Sequence, residues 1–94
     1  MTGKRLRDAV ITPHAAIEAR RRGIPLELVR SVLHLPEQEF ELRPGRTVLQ
    51  SRVQLGERGA AYLLRVIVDV DRRPAAVVTV YRTSKIGKYW RSES

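Results

Sequence analysis

The chain contains no cysteine, and only five of its 94 residues are aromatic. Without cysteine it can form neither disulfides nor metal sites built from thiolates, such as the common structural zinc sites and iron–sulfur clusters. No apolar run approaches the roughly 18 residues of a membrane-spanning helix. The N-terminal segment is basic but lacks the apolar region of a secretory signal peptide. We therefore expect a soluble, cytoplasmic protein that has no membrane partner.

Acidic residues are also scarce, since ten Asp and Glu stand against eighteen Lys and Arg. The formal net charge is +8 and the sequence pI is about 11.0. An excess this large on a small domain predicts an anionic partner, which the charge alone leaves open as a nucleic acid, an acidic protein or a membrane surface. Fifteen of the cations are Arg, whose guanidinium suits bidentate phosphate contacts and stacking on bases. Codon bias in a GC-rich genome would also raise the Arg share, but it would leave the net charge unexplained.

The length fits one domain, and two helices are predicted in its first half. A helix over residues 14–22 follows from an N-cap at Thr12 and a stop at Gly23. Apolar residues at helical spacing predict a second helix over residues 26–35, which Pro36 ends. The short connection between the two predicts a tight helical hairpin.

The second half of the chain indicates β structure. The predicted strands are residues 39–43, 47–53, 61–70 and 75–82, with a short edge strand possible at residues 9–11. The last two long strands are almost continuously apolar, which is typical of central strands. The polar and aromatic tail is a candidate to fold back over the sheet. The prediction is an α+β fold in which two N-terminal helices pack on one face of a three- to four-stranded antiparallel sheet. The open face is then the natural place for a ligand.

Two segments of the chain resemble a known family. The first is the pattern H-A-A-x-x-A-x-x-R-G-I-P, which begins at His14, and the second is V-V-T-V-Y-R-T-S-K-I-x-K-Y-W over residues 77–90. Together they resemble the domain-of-unknown-function 4258 family, over about residues 11–91. That family is similar in architecture to the RelE/ParE toxins of toxin–antitoxin pairs, within a wider group of small metal-independent ribonucleases. The resemblance implies a single RelE/ParE-like domain over residues 1–94 and an RNA-cleaving toxin, which an acidic or zinc-ribbon antitoxin would hold inactive.

RNA cleavage without a metal requires a base for the 2′-hydroxyl, a cation for the phosphorane and an acid for the leaving oxygen. His14 is the candidate base, because a helix N-terminus and a positive background disfavour the imidazolium. Arg65 is the candidate cation, since it interrupts an apolar strand, and Arg82 would complete a phosphate clamp with it. Tyr81 would act as acid or stack on a base. The plainer alternatives are a histidine in solvent or on the sheet, and an Arg65 salt bridge with Asp69 or across the strands.

Other polar, basic and aromatic residues are candidates for contacts with RNA, because cations beside stacking rings suit single strands. These candidates are Arg46, Arg52, Thr79, Thr83, Ser84, Lys85, Lys88, Tyr89 and Trp90. The alternative is that Tyr81 and Trp90 only cover the small core. Glu37, Glu39 and Glu41 alternate with other residues as in a solvated edge strand.

No motif for a metal or a cofactor stands out. His34 has no acidic partner at ligand spacing, and no phosphate-cradling loop is present, so we expect neither. The preferred hypothesis is the toxin-like component of a toxin–antitoxin pair, a metal-independent endoribonuclease acting on mRNA, either on the ribosome or free of it. The alternative is a non-catalytic basic protein, either a ParE-like inhibitor of an enzyme or an RNA-binding module.

Overall fold

The computed structural model describes residues 6–92, in which a five-stranded mixed sheet carries two helices on one face. In chain order the elements are β1 (Val10–Ile11), α1 (Pro13–Arg21), α2 (Leu26–His34), β2 (Gln38–Arg43), β3 (Arg46–Leu55), β4 (Ala60–Asp69), β5 (Ala76–Thr83) and α3 (Ile86–Tyr89). The predicted α+β class is confirmed. None of the helices in the described range is both long and apolar enough to cross a lipid bilayer.

The first helix begins and ends one residue earlier than the predicted range of 14–22. The Thr12 hydroxyl accepts a hydrogen bond from the backbone N–H of Ala15 at 3.2 Å and donates one to the carbonyl of Val77 at 2.8 Å. The N-cap therefore also fixes α1 to β5. Gly23 follows the helix with a φ of 67°, a left-handed conformation that glycine adopts at low cost.

The strand order is β1-β5-β4-β3-β2, and the expectation of an all-antiparallel sheet of three or four strands is wrong. The two-residue β1 pairs in parallel with β5, and the N–H of Val10 donates to the carbonyl of Ala75 at 2.8 Å. A segment this short has no periodic pattern of its own. The short edge strand expected at residues 9–11 is confirmed as β1, and its pairing with β5, which is distant in the sequence, is what makes it a strand.

The two faces of the sheet have different partners. On the helical face, Leu49, Val66 and Val80 pack against α1 and α2 in one buried cluster. Residues that pair across antiparallel strands have their side chains on the same face of the sheet. The strand registers therefore also show which residues lie on the face opposite the helices. We call this opposite surface the tail face, and its central residues are Val48, Gln50, Arg65, Ile67, Thr79 and Tyr81.

The C-terminal segment, residues 84–92, lies across the tail face. The side-chain amide of Gln50 donates to the carbonyl of Tyr89 at 3.2 Å. The side chain of Gln38 donates to the carbonyl of Arg91 at 2.6 Å and accepts from its N–H at 3.1 Å. The prediction that the tail folds back over the sheet is confirmed, and α3 forms within it.

Candidate functional site

A buried arginine lies at the centre of the tail face. Only 6% of Arg65 is exposed. Its Nε donates to Oε1 of Gln50 at 2.9 Å, and its Nη1 donates to the hydroxyl of Tyr81 at 2.6 Å. Both partners lie directly opposite Arg65, on β3 and β5. The rings of Tyr89 and Tyr81 flank the guanidinium, with centroids 4.5 Å and 5.7 Å from its central carbon.

The charge of Arg65 has no carboxylate partner in the described part of the chain, where its side-chain hydrogen bonds go to neutral groups. Asp69, the expected partner in the plainer interpretation, instead pairs with Arg72 at 3.3 Å. A desolvated cation without a counter-ion is costly unless hydrogen bonds compensate for the lost water. Arg65 therefore differs from an ordinary structural salt bridge.

Cations and aromatic rings alternate over the rest of this surface. Five of the six cation–π contacts in residues 6–92 lie on the tail face. Besides the two contacts of Arg65, they are Arg52 on Trp90 at 4.4 Å, Arg91 on Phe40 at 3.9 Å and Lys88 on Tyr89 at 5.4 Å. A surface of this composition offers rings for stacking and charges for phosphates within the same few side chains.

Glu37 holds Arg52 in place beneath the indole of Trp90. One carboxylate oxygen of Glu37 accepts from Nε of Arg52 at 3.0 Å and from its backbone N–H at 2.8 Å. The other accepts from Nη2 at 2.9 Å. The side-chain hydrogen bonds, followed by the backbone hydrogen bond, lower the pKa of Glu37 to about 2. Arg52 thus pairs with Glu37 while its guanidinium stacks on the indole of Trp90.

His14 belongs to the helical layer, on the other side of the sheet from this cluster. It is in the first turn of α1, with 73% of its side chain exposed, and its Nε2 is 3.4 Å from Oε2 of Glu18. Because α1 packs on the helical face, the sheet stands between His14 and Arg65. The structure therefore does not bring the predicted base and the predicted cation into one cleft.

Arg82 is also separated from Arg65. It pairs with Leu64, whose side chain belongs to the helical core, so Arg82 lies on the helical face. Its guanidinium carbon is 4.5 Å from the ring of Tyr62 on that side. Side chains alternate between the two faces of the sheet along each strand, so Arg65 and Arg82 lie on opposite faces. The predicted phosphate clamp formed by these two residues is therefore wrong.

The other predicted residues divide by position. Thr79, Tyr81 and Thr83 share the tail face, while Ser84 and Lys85 are exposed where the chain leaves β5. The hydroxyl of Thr83 accepts from the N–H of Lys85 at 3.1 Å, which shapes that turn. Arg46 pairs with Asp69 at the far end of the strands, about 13 Å along β4 from Arg65.

Three residues that sequence reasoning did not place in the site take part in it. They are Gln38, Phe40 and Gln50. Gln50 is fully buried in the structure, and a buried polar side chain requires a hydrogen-bond partner. Finding that partner requires the β3–β4 register, which residue types alone do not give.

In residues 6–92, no group of three or more His, Asp or Glu side chains is arranged to hold a metal ion. The centre of the tail face carries guanidinium, amide and phenol groups beside aromatic rings. Such groups can bind an oxyanion and stack on planar bases.

Comparisons with known proteins agree with the family resemblance. Neither the curated proteins nor the solved structures contain a match to this chain. The family model described as "Domain of unknown function (DUF4258)" matches residues 11–82, which include α1, α2, the strands from β2 to β4, most of β5, and Arg65. Since this match extends over most of the 94 residues, the chain belongs to the DUF4258 family.

Proposed function

We propose that the protein is a basic RNA-binding module whose tail face takes single-stranded RNA. The observation that carries the proposal is the concentration of cation–π pairs on that one face. Single-stranded RNA presents both unstacked bases and a phosphate backbone, so a surface with rings and cations interleaved suits it. The net charge of +8 supplies long-range attraction to the same ligand.

The arrangement of the pairs supports binding more than catalysis. Trp90 and Phe40 are half-buried, so each ring keeps exposed surface for a base. Lys88 and Arg91 are exposed and form no ion pair within the described residues, so their charge is available to phosphates. The predicted base His14 lies in the other layer, which removes the general base from the mechanism that the sequence suggests.

The second candidate is the toxin-like, metal-independent endoribonuclease of a RelE/ParE-like protein. The contact that favours it is the 2.6 Å hydrogen bond between Nη1 of Arg65 and the hydroxyl of Tyr81, which joins a phosphate-binding cation to a phenolic proton donor. In that case RNA cleavage would not depend on His14, and an acidic antitoxin segment would compete with RNA for the basic surface.

Fluorescence anisotropy of a short labelled single-stranded RNA tests the proposal, with EDTA present and the RNA examined for cleavage afterwards. Stacking on one ring contributes about 1–3 kcal/mol per base, so Trp90→Ala should weaken binding roughly 5- to 150-fold. Arg91→Gln should weaken binding and reduce its dependence on salt.

Arg20→Gln is the matched control, because it removes the same charge from an exposed position on α1. The proposal predicts a much smaller effect for this variant than for Arg91→Gln. Equal losses in the two variants, or no RNA binding by the natural chain, would refute it. Cleavage that persists in EDTA and disappears in Tyr81→Phe would establish the second candidate instead.

A further inference from the structure

We propose that Arg65, Gln50 and Tyr81 form a latent binding site for a phosphate oxyanion, which the C-terminal segment covers. The inference goes further than the proposed function by assigning an inner anion site and its control to the tail face. It rests on that function only for the identity of the natural ligand, a phosphodiester of RNA. The binding chemistry itself follows from the three side chains.

The first argument is the unbalanced charge of Arg65. Its guanidinium is almost fully buried, and its two side-chain hydrogen bonds go to an amide oxygen and a phenol, both neutral. A guanidinium carries five N–H donors, so three remain for another partner. An oxyanion would provide both the missing charge and two parallel acceptors, the arrangement that guanidinium binds best.

The second argument is that the surroundings of Arg65 are built to hold it in position. The amide of Gln50 is fully buried, and its Nε2 is fixed by Oε1 of Gln38 at 2.7 Å. Tyr81 lies on the opposite side, in direct register on β5. Two neighbouring strands therefore orient the guanidinium, and binding an anion would require little rearrangement of it.

The third argument concerns what lies over the site. The ring of Tyr89 lies over the guanidinium of Arg65, 4.5 Å from its central carbon, and only 6% of Arg65 is exposed. The C-terminal segment is held by hydrogen bonds from the side chains of Gln38 and Gln50. It is also held by two stacking contacts, Trp90 with Arg52 and Arg91 with Phe40. Its four-residue helix contributes no fully buried side chain. Contacts of this kind open at low free-energy cost, so the segment can act as a lid.

A lid over a binding site lowers the apparent affinity by the fraction of molecules in which the site is uncovered. Removing the Tyr89 ring should therefore strengthen anion binding. An internal carboxylate placed beside Arg65 should abolish it, because that carboxylate would take the position of the ligand.

The experiment titrates the full chain with inorganic phosphate, against chloride at matched ionic strength, and follows the emission of Trp90. This residue is the only tryptophan, and it lies in the covering segment. Tyr89→Ala should bind phosphate roughly tenfold or more tightly than the natural chain. Adding Arg65→Gln to Tyr89→Ala should remove the saturable response, while adding Arg58→Gln, in an exposed turn, should leave it unchanged.

Gln50→Glu in the Tyr89→Ala background provides a second test in case the Arg65 variant does not fold. Its carboxylate can still accept the hydrogen bond from Arg65. This variant should also lose the phosphate response while its circular dichroism spectrum remains native-like. A dinucleoside monophosphate forms a separate arm, in which tighter binding than that of inorganic phosphate identifies a phosphodiester site and weaker binding identifies a site for free phosphate.

Phosphate binding that is unchanged by both Arg65→Gln and Gln50→Glu would overturn the inference. So would a Tyr89→Ala variant that binds no more tightly than the natural chain. The outcome is separable from the proposed function, because loss of RNA affinity in Trp90→Ala and Arg91→Gln tests the outer surface. A phosphate response that depends on Arg65 would persist even if RNA did not bind.

Discussion

The hydrogen bond between Gln50 and Arg65 gives the sharpest test of how the centre of the sheet is held together. Gln50→Leu keeps a side chain of similar volume but removes the amide oxygen that lies 2.9 Å from Nε of Arg65. The substitution also removes the two hydrogen bonds that Nε2 donates, to Gln38 and to the carbonyl of Tyr89. It thereby leaves a buried charged donor without its partner.

The expected cost follows from the kind of bond that is lost. A hydrogen bond to a charged group contributes about 1.5–3 kcal/mol, and leaving the buried partner unsatisfied adds to the loss. The added apolar contacts of leucine offset part of it. We expect Gln50→Leu to lower the free energy of unfolding by about 2–4 kcal/mol. In the double variant with Arg65→Met no buried charge remains, so most of that loss should be recovered.

The assay is equilibrium unfolding in urea, monitored by circular dichroism. It compares the four proteins of a double-mutant cycle, which are the natural chain, Gln50→Leu, Arg65→Met and the double variant. Fluorescence of Trp90 is a poor probe here, since it would report opening of the C-terminal segment as well as global unfolding. Gln54→Leu is the matched control, because Gln54 is exposed on the same strand and face, and its effect should stay within about 0.5 kcal/mol. A coupling free energy below about 0.5 kcal/mol between positions 50 and 65 would refute the reasoning.

Two further predictions concern the edge of the sheet and the helical core. Because Arg52 lowers the pKa of Glu37 from 4.5 to about 2, the ionised carboxylate stabilises the fold fully above pH 4.5, and this stabilisation is lost as the pH falls toward 2. Glu37→Gln should therefore flatten the pH dependence of the urea midpoint between pH 4.5 and pH 2. The effect should be small because both side chains are partly exposed. A pH dependence of the midpoint equal to that of the natural chain would contradict the ion pair. Leu33→Ala should cost about 2–5 kcal/mol in urea unfolding, because Leu33 is 1% exposed within the core, whereas Leu35→Ala, at 79% exposure, should change stability by less than about 0.5 kcal/mol. Similar losses of stability in these two leucine variants would contradict the burial of Leu33 and the exposure of Leu35.

Local features of the sequence determined most of the secondary structure. The cap at Thr12 and the stop at Gly23 act within a few residues, and they fixed the ends of α1 to within one position. The long apolar runs of β4 and β5 identified central strands in the same way. The charge of Arg65 marked a place within β4 where the apolar pattern fails, and that place became the centre of the candidate site.

The residues that assemble around Arg65 were decided by the tertiary structure. Gln50 and Tyr81 meet it because of strand registers that pair positions 15 and 16 residues away in the chain. The same registers place Arg82 on the other face, and the packing of α1 on that face takes His14 away from the predicted cleft. Caps, turns and periodicity are set by interactions between near neighbours, so residue types reveal them. Register and the choice of face are set by which strands pair and which surfaces are buried together, and those depend on the whole chain at once.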